Sequence, residues 1–372
     1  MNIFIIFEGY FEKSTKEDVM NRLKCAFLVI IMALGIGSAT AQYSTTHAKT
    51  AMLGQQKGIY YALPRTVIQL DLVIEEIEMI EGPYSDYVQL VGADDYIVED
   101  GMEYRLADVR MTTYAEADPN ATFFVAMNLK KGDVAEFYLT PKGILQGVGI
   151  AGQPVVEPIN TKVETTQPKE TDRNFKYQYG SKGKTREQRA YAAAEMISTI
   201  REEKIKLLTG FQETAFQMDT YRQMYADLDQ MEREYLSLFI GKRIVNTTIK
   251  TVYVTPSKEA ASKTIGEFSA KEGFSTAVTG LGSPLTVQVS SLRTTVNINE
   301  PSQSAVESLS HENKLFYRIP ETAVVRVSLG EELLLEQRET IAQFGVFMLA
   351  PLGKTKLALD PNTGQITGIE ME

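Results

Sequence analysis

One cysteine, two histidines and no tryptophan occur in 372 residues, and each scarcity removes a class of chemistry. The cysteine, Cys25, lies in an N-terminal segment with the marks of a cleaved signal. The mature chain is therefore expected to have no disulfide, no thiol nucleophile and no thiolate metal site. Burial alone must hold it together, which is feasible at this length. With only His47 and His311, a zinc site of several imidazoles is excluded, and a Ser-His-Asp triad would have to use His311. That residue stands in Ser308-Leu309-Ser310-His311-Glu312-Asn313, which reads as a solvated loop before a strand. Positive charge is also short: 38 Lys and Arg against 48 Asp and Glu give a net charge of −10. Nucleic acid and anionic membrane both call for basic patches, so neither is an expected partner. The missing tryptophan weakens a sugar-stacking role, although tyrosine, with 18 copies, can substitute.

What is present begins with an export signal. Arg22 and Lys24 precede an apolar run from Cys25 to Ile36, and Ala39-Thr40-Ala41 forms an A-x-A cleavage signature. The run is too short for a ~30 Å hydrocarbon core, which needs about 20 apolar residues. Residues 1–41 thus read as leader and signal peptide, with Met20 the better start, and the mature chain begins near Gln42. It keeps the net charge of −10, because the removed segment holds four bases and four acids. No other segment reads as an anchor. The expected location is the periplasm, with the cell surface or the exterior as alternatives.

Residues 42–57 are polar and are expected to form a disordered stub carrying His47. From Gly58 the chain reads as strands: Ile68, Leu70 and Leu72 alternate with Gln69 and Asp71, and Tyr104–Met111, Val134–Leu139 and Ile144–Ile150 alternate likewise. Turn clusters at Asp118-Pro119-Asn120, Lys131-Gly132-Asp133 and Pro141-Lys142-Gly143 separate them. The Tyr- and Asp-rich segment 82–100 reads as a short helix or an excursion. Residues 58–151 form an N-terminal β-rich domain, and the proline-punctuated stretch 152–184 a linker. Residues 242–310 form a connecting region around strands at Ile249–Tyr253 and Leu285–Val289. The tail 311–372 is expected to be a C-terminal sandwich-like domain of short strands near 315–319, 322–329, 333–337, 344–349, 356–359 and 366–369.

Between these regions, residues 185–241 carry the helical signal. Thr185 and Gln188 make a capping box. Ala190, Ala194, Ile197, Arg201, Ile205 and Leu208 follow at helical spacing up to Gly210. Tyr221, Met224, Leu228, Met231, Tyr235 and Leu238 then repeat as an a/d seam up to Gly241. So short a seam predicts an antiparallel hairpin with Leu228 and Leu238 buried. A partner is expected on the opposite face, around Arg222, Asp229 and Arg233.

One internal echo stands out. Tyr61-Ala62-Leu63-Pro64-Arg65-Thr66 returns as Tyr317-Arg318-Ile319-Pro320-Glu321-Thr322. The turn Leu139-x-Pro141-Lys142-Gly143-x-Leu145-x-Gly147-Val148 returns, one residue longer, as Leu359-x-Pro361-Asn362-Thr363-Gly364-x-Ile366-x-Gly368-Ile369. Two related β modules flanking inserted helices explain this; chance likeness of common turns is the other explanation.

Tyr60–Thr66, Gly82-Pro83-Tyr84, Ile341–Val346 and Asp360–Gly364, in that order along the chain, resemble an uncharacterised family of exported Bacteroidota proteins known only as a domain of unknown function. The resemblance implies a cell-envelope location. It supplies no activity, so no functional residue carries over.

Two tempting motifs fail. Gly180-Ser181-Lys182-Gly183-Lys184-Thr185 lacks a glycine at Gln178 and a hydrophobic strand before it, so it is no phosphate loop. Gly147-x-Gly149-x-x-Gly152 is followed by Pro154 and Pro158, leaving no helix to meet a pyrophosphate. Acidic neighbours such as Glu75/Glu76, Asp94/Asp95 and Glu99/Asp100 are expected by chance at this acid content.

The residues predict an α+β protein with two β-rich, sandwich-like domains separated by an antiparallel helical hairpin. No catalytic, cofactor-binding or metal residue is assigned. The leading function is a structural or adaptor binding protein whose partner is another envelope protein. The alternative is a carboxylate-dependent enzyme acting on glycans. A Tyr-lined cleft with two acids ~5–10 Å apart favours the enzyme; an exposed apolar patch on the hairpin favours the adaptor.

Overall fold

The computed structural model of the chain describes residues 42–51, 57–128, 135–155, 158, 174–175, 185–209, 218–258, 262–299 and 301–371. The fold is α+β and is dominated by antiparallel sheet. Its strands are β1 (Tyr43–His47), β2 (Gly58–Ile80), β3 (Gly101–Met127), β4 (Phe137–Leu139), β5 (Leu145–Val148) and β6 (Lys242–Val254). They continue with β7 (Ser262–Ser269), β8 (Gly273–Ser275), β9 (Ser283–Ser291), β10 (His311–Glu312), β11 (Lys314–Leu329), β12 (Glu332–Pro351), β13 (Thr355–Leu359) and β14 (Ile366–Met371). The helices are α1 (Arg186–Thr209), α2 (Met218–Ile240) and the short α3 (Gln303–Ser308).

Three sheets result, ordered β10-β1-β3-β2-β6, β12-β11-β9-β7-β8 and β14-β13-β5-β4. The alternating Ile68, Leu70 and Leu72 turn one face of β2 onto Val287, Val289, Val325 and Val327 of the second sheet, forming one core. A second core joins Tyr61, Leu63, Phe123 and Val125 to Leu145, Leu315, Phe316, Leu357 and Leu359. At its centre Phe123 stacks on Phe316 at 4.6 Å. The Tyr61 hydroxyl accepts from Phe316 N at 3.0 Å and donates to Phe316 O at 3.2 Å. Burial raises the pKa of that hydroxyl far above its ordinary value, so it stays a donor as well as an acceptor.

This pairing departs from the expected N- and C-terminal β domains, because strands of the two regions share sheets. β1 pairs with β10, and β5 pairs with β13. The expected connecting region 242–310 supplies the edge of the first sheet and three strands of the second. Residues 42–57 are likewise no disordered stub along their whole length. Tyr43–His47 lie between β3 and β10, with Tyr43, Thr45 and His47 buried. Period-2 alternation over five mostly polar residues gives little signal, and the partners lie far away in sequence. The turn at Lys131-Gly132-Asp133 and nearly all of the linker fall outside the described residues.

The turn expected at Asp118-Pro119-Asn120 is a bulge within β3. Ala62 pairs with Thr122 and Pro64 with Ala117, so one residue of β2 faces four of β3. The strand break expected near Pro320 is the same device: Ile319 pairs with Val346 and Glu321 with Ile341, again one residue against four. Proline has no N–H to give a ladder, and the bulge absorbs it.

The echo in the sequence thus has a structural counterpart. Each copy is a long hairpin with a one-against-four bulge, followed by a short hairpin in the third sheet. Ala62 N donates to Gly143 O at 2.9 Å, and Arg318 N, at the matching place, donates to Gly364 O at 3.0 Å. Both glycines hold positive φ, 80° and 78°, where a side chain is strained. Five matched details of turn, bulge and hydrogen bond favour related modules over chance likeness.

The modules also clasp each other. Asp118, in the first bulge, pairs with Arg318 at 3.0 Å, and Arg318 also donates to Pro64 O at 2.5 Å. In return, Gln343 from the second bulge accepts from Thr66 N at 2.8 Å and donates to Thr66 O at 3.0 Å.

Candidate functional site

The two long helices pack on each other and on segment 81–100, building a third core from Tyr84, Val88, Ala190, Ile197, Ile200, Tyr235, Leu238 and Phe239. No described strand residue belongs to it. Thr185 and Gln188 close the capping box of α1 reciprocally, at 3.1 and 3.2 Å. Arg186 ties the start of α1 to Pro83 O and Asp86, and Tyr84 N donates to Leu238 O near the end of α2. The helices are therefore fastened at the 186/240 end. Cross-helix partners run Arg201–Glu232, Lys204–Asp229 and Leu207–Tyr221, which makes the pair antiparallel. At 1.5 Å per residue, the other end of α1 lies about 35 Å away.

The buried stripe of α1 is Ala190, Ala193, Ile197, Ile200, Lys204 and Leu207, one step from the expected one. Ile205 and Leu208 consequently face outward, 59% and 64% exposed, and Met218 at the start of α2 is 66% exposed. A charge explains the rotation. Lys204 lies across the seam, hydrogen-bonded to Asp229 at 2.8 Å and Glu232 at 2.7 Å, with its ammonium 5.5 Å from the Tyr225 ring. Lys204 and Arg201 hold the Glu232 carboxyl below its ordinary pKa. In the expected seam, Tyr235 and Leu238 are buried, whereas Leu228 and Met231 are only partly so. Leu228 stands next to Asp229, which pairs with Lys204 across the seam.

Of the sequence-derived surface residues, Asp229 and Arg233 form an i,i+4 ion pair, and Asp229 also reaches α1 through Lys204. Asp229 therefore looks towards the helix pair as well as outward. Arg222 is apart from them, exposed, and pairs with Asp219 at 3.7 Å. Met218 lies one turn before Arg222, so the apolar tip and the arginine share a side of α2. The exposed tip went unnoticed in the sequence because Ile205 and Leu208 fitted the expected buried stripe.

The histidines are placed in packing roles. His47 is buried edge-on to Phe123, with Nδ1 accepting from Lys49 N and Nε2 3.0 Å from Asn120 O, which puts its proton on Nε2. His311 is half-buried, not a solvated loop residue: it sits in β10 against Phe316, with Nε2 3.3 Å from Ala305 O. Of the acidic neighbours, Glu75 pairs with Arg105 and Asp95 with Arg243, while Glu76 accepts from Tyr104 and Asp100 from Glu81 N. Among the described residues no group of three His, Cys, Asp or Glu side chains is placed to hold a metal ion. Gly147 and Gly152 lie where β13 crosses, and a Cβ on either would strike the carbonyl oxygens of Leu357 or Leu359. Apart from Thr185, the phosphate-loop-like segment falls outside the described residues.

A cleft of about 430 Å³ opens at the second bulge, lined by Ser257, Lys258, Arg293, Glu321 and Phe344 among others. Its one acid among the described lining residues is Glu321. Oε1 accepts from Thr294 N and Oγ1 at 2.6 and 2.7 Å, and Oε2 from Thr295 N and Oγ1 at 3.0 and 2.5 Å. Burial pushes this carboxyl up, but the four donors outweigh it and hold the pKa below its ordinary value. Such a group is a poor proton donor at neutral pH, and no second acid lines the cleft among the described residues.

No helix among the described residues is long and apolar enough to cross a membrane. No curated protein and no solved structure matches the chain. A family model does: residues 57–367 match the one described as a domain of unknown function, DUF4831. That match covers both β modules and the helices between them, so the chain belongs to the DUF4831 family.

Proposed function

We propose that this is an exported, non-catalytic adaptor of the cell envelope that captures a partner protein with the 209/218 end of its helix pair. The carrying observation is the exposed apolar tip, Ile205, Leu208 and Met218, on helices that lend no residue to either sheet-lined core. Exposed apolar side chains gathered at one place mark interaction sites. Arg222 lies one turn from the tip, with Asp229 and Arg233 further along α2, and they supply charge for orientation and specificity. Export rests on the signal sequence, whose cleavage would leave Gln42 next to the first strand.

The test is capture of partners from the native envelope by the tagged mature protein. Ile205→Asp with Leu208→Asp should abolish capture without lowering the melting temperature. Arg222→Glu should weaken it. Equal capture by all three proteins would refute the adaptor reading. Intact mass should place the mature N-terminus at Gln42; a secreted chain still containing Cys25 would refute signal cleavage.

A further inference from the structure

The cleft at the second bulge is independent of the helix tip, and its chemistry points to a different occupant. We propose that it binds a small organic monocarboxylate, with Arg293 and Lys258 as the anion-holding groups. Its volume, about 430 Å³, falls among small-molecule sites.

Charge is the first argument. Ten of the thirteen arginines among the described residues are held in ion pairs, as expected in an acidic protein. Arg293 is not, although it lines a cleft. Lys258 also lacks an acidic partner there; its Nζ reaches only Gly345 O at 3.4 Å. Glu321 forms an ion pair with neither cation, because both its oxygens are engaged by Thr294 and Thr295.

Backbone geometry is the second argument. Arg293 has φ of 57°, a left-handed conformation unusual for a side-chain-bearing residue. The turn is fixed from both sides: Arg293 N donates to Ser291 Oγ at 3.0 Å, and the next two residues clasp Glu321. Such a strained position persists only when its surroundings enforce it, and it is often retained for function.

The lining selects the ligand. Among the described lining residues, two cations and one carboxylate leave a single net positive charge, which suits a monoanion; a phosphate dianion would meet the fixed charge of Glu321. The planar guanidinium matches a carboxylate in bidentate fashion. Val289 and Phe344 offer an apolar floor, and Ser290 adds a hydroxyl. The occupant is therefore a carboxylate on a compact apolar or hydroxylated body.

Calorimetric titration of the mature protein tests this with 4-phenylbutyrate, glucuronate, their uncharged counterparts 4-phenylbutanol and glucose, and inorganic phosphate. At least one carboxylate should bind about tenfold or more tightly than its uncharged counterpart, and more tightly than phosphate. Whichever carboxylate wins identifies the body as apolar or hydroxylated. Arg293→Gly should relieve the strained φ, so that the melting temperature holds or rises, while binding falls about tenfold or more. Lys258→Gln should weaken binding less. The proposal is overturned if neither carboxylate saturates by about 10 mM, if phosphate binds better, or if Arg293→Gly binds undiminished.

Discussion

At the residue scale, two charged groups show how this acidic chain uses its few buried cations. Arg318 and Asp118 are almost fully buried, 4% and 9% exposed, and burial pulls the guanidinium pKa down while Asp118 pushes it back up. Removing one partner strands the other without water. Asp118→Ala should therefore cost about 3–5 kcal/mol, read by denaturant unfolding, and Arg318→Met in that background should recover part of the loss. Glu232 gives a pH signature. Its folded pKa lies below the ordinary glutamate value, so its contribution is present above about pH 4.3 and fades as pH falls through the lower folded value. Glu232→Gln should then lose stability at pH 7 and show a flatter decline between about pH 5 and 3 in thermal melts. Neither feature was legible in the sequence. Asp118 reads as a turn residue, and nothing in the helical spacing singles out Lys204.

At the element scale, the helices are where local pattern served best. The capping box at Thr185 and Gln188 and the stop at Gly241 are both found, because such signals are local and rest on backbone hydrogen bonding. The buried stripe was misplaced by one step, because hydrophobic spacing cannot anticipate a lysine buried among two carboxylates. The two seam leucines should now differ. Leu238, 2% exposed, should cost about 2–5 kcal/mol when changed to Ala, whereas half-buried Leu228 should cost clearly less. Equal losses on denaturant unfolding would mean that the seam is continuous after all. Strands were harder. Ile68–Leu72 alternates cleanly and is found, but Asp118-Pro119-Asn120 and Pro320 mimic strand ends while residing in bulges, and Pro64 borders one.

At the scale of the whole molecule, the likeness of Tyr61–Thr66 to Tyr317–Thr322 left related modules and chance turns both open, and nothing in the sequence showed the interlocking of the two regions. Pairing between residues hundreds of positions apart leaves no periodic trace. Each sheet-lined core draws on both modules, so neither module buries its own apolar face. A fragment of residues 42–155 should remain unfolded by far-UV circular dichroism; a cooperative melt from that fragment would contradict the interlock. The placement of β1 carries this further. Tyr43 N bonds to the side chain of Asn313, 270 residues later. At about 5–20 residues per second, a ribosome finishes that distance on the order of tens of seconds after Tyr43 is made. Throughout that interval the opening strand has no β10 to close on, and β5 has no β13. Both of these closures therefore wait until the second module has been synthesised, so the two modules complete their shared sheets together rather than one after the other.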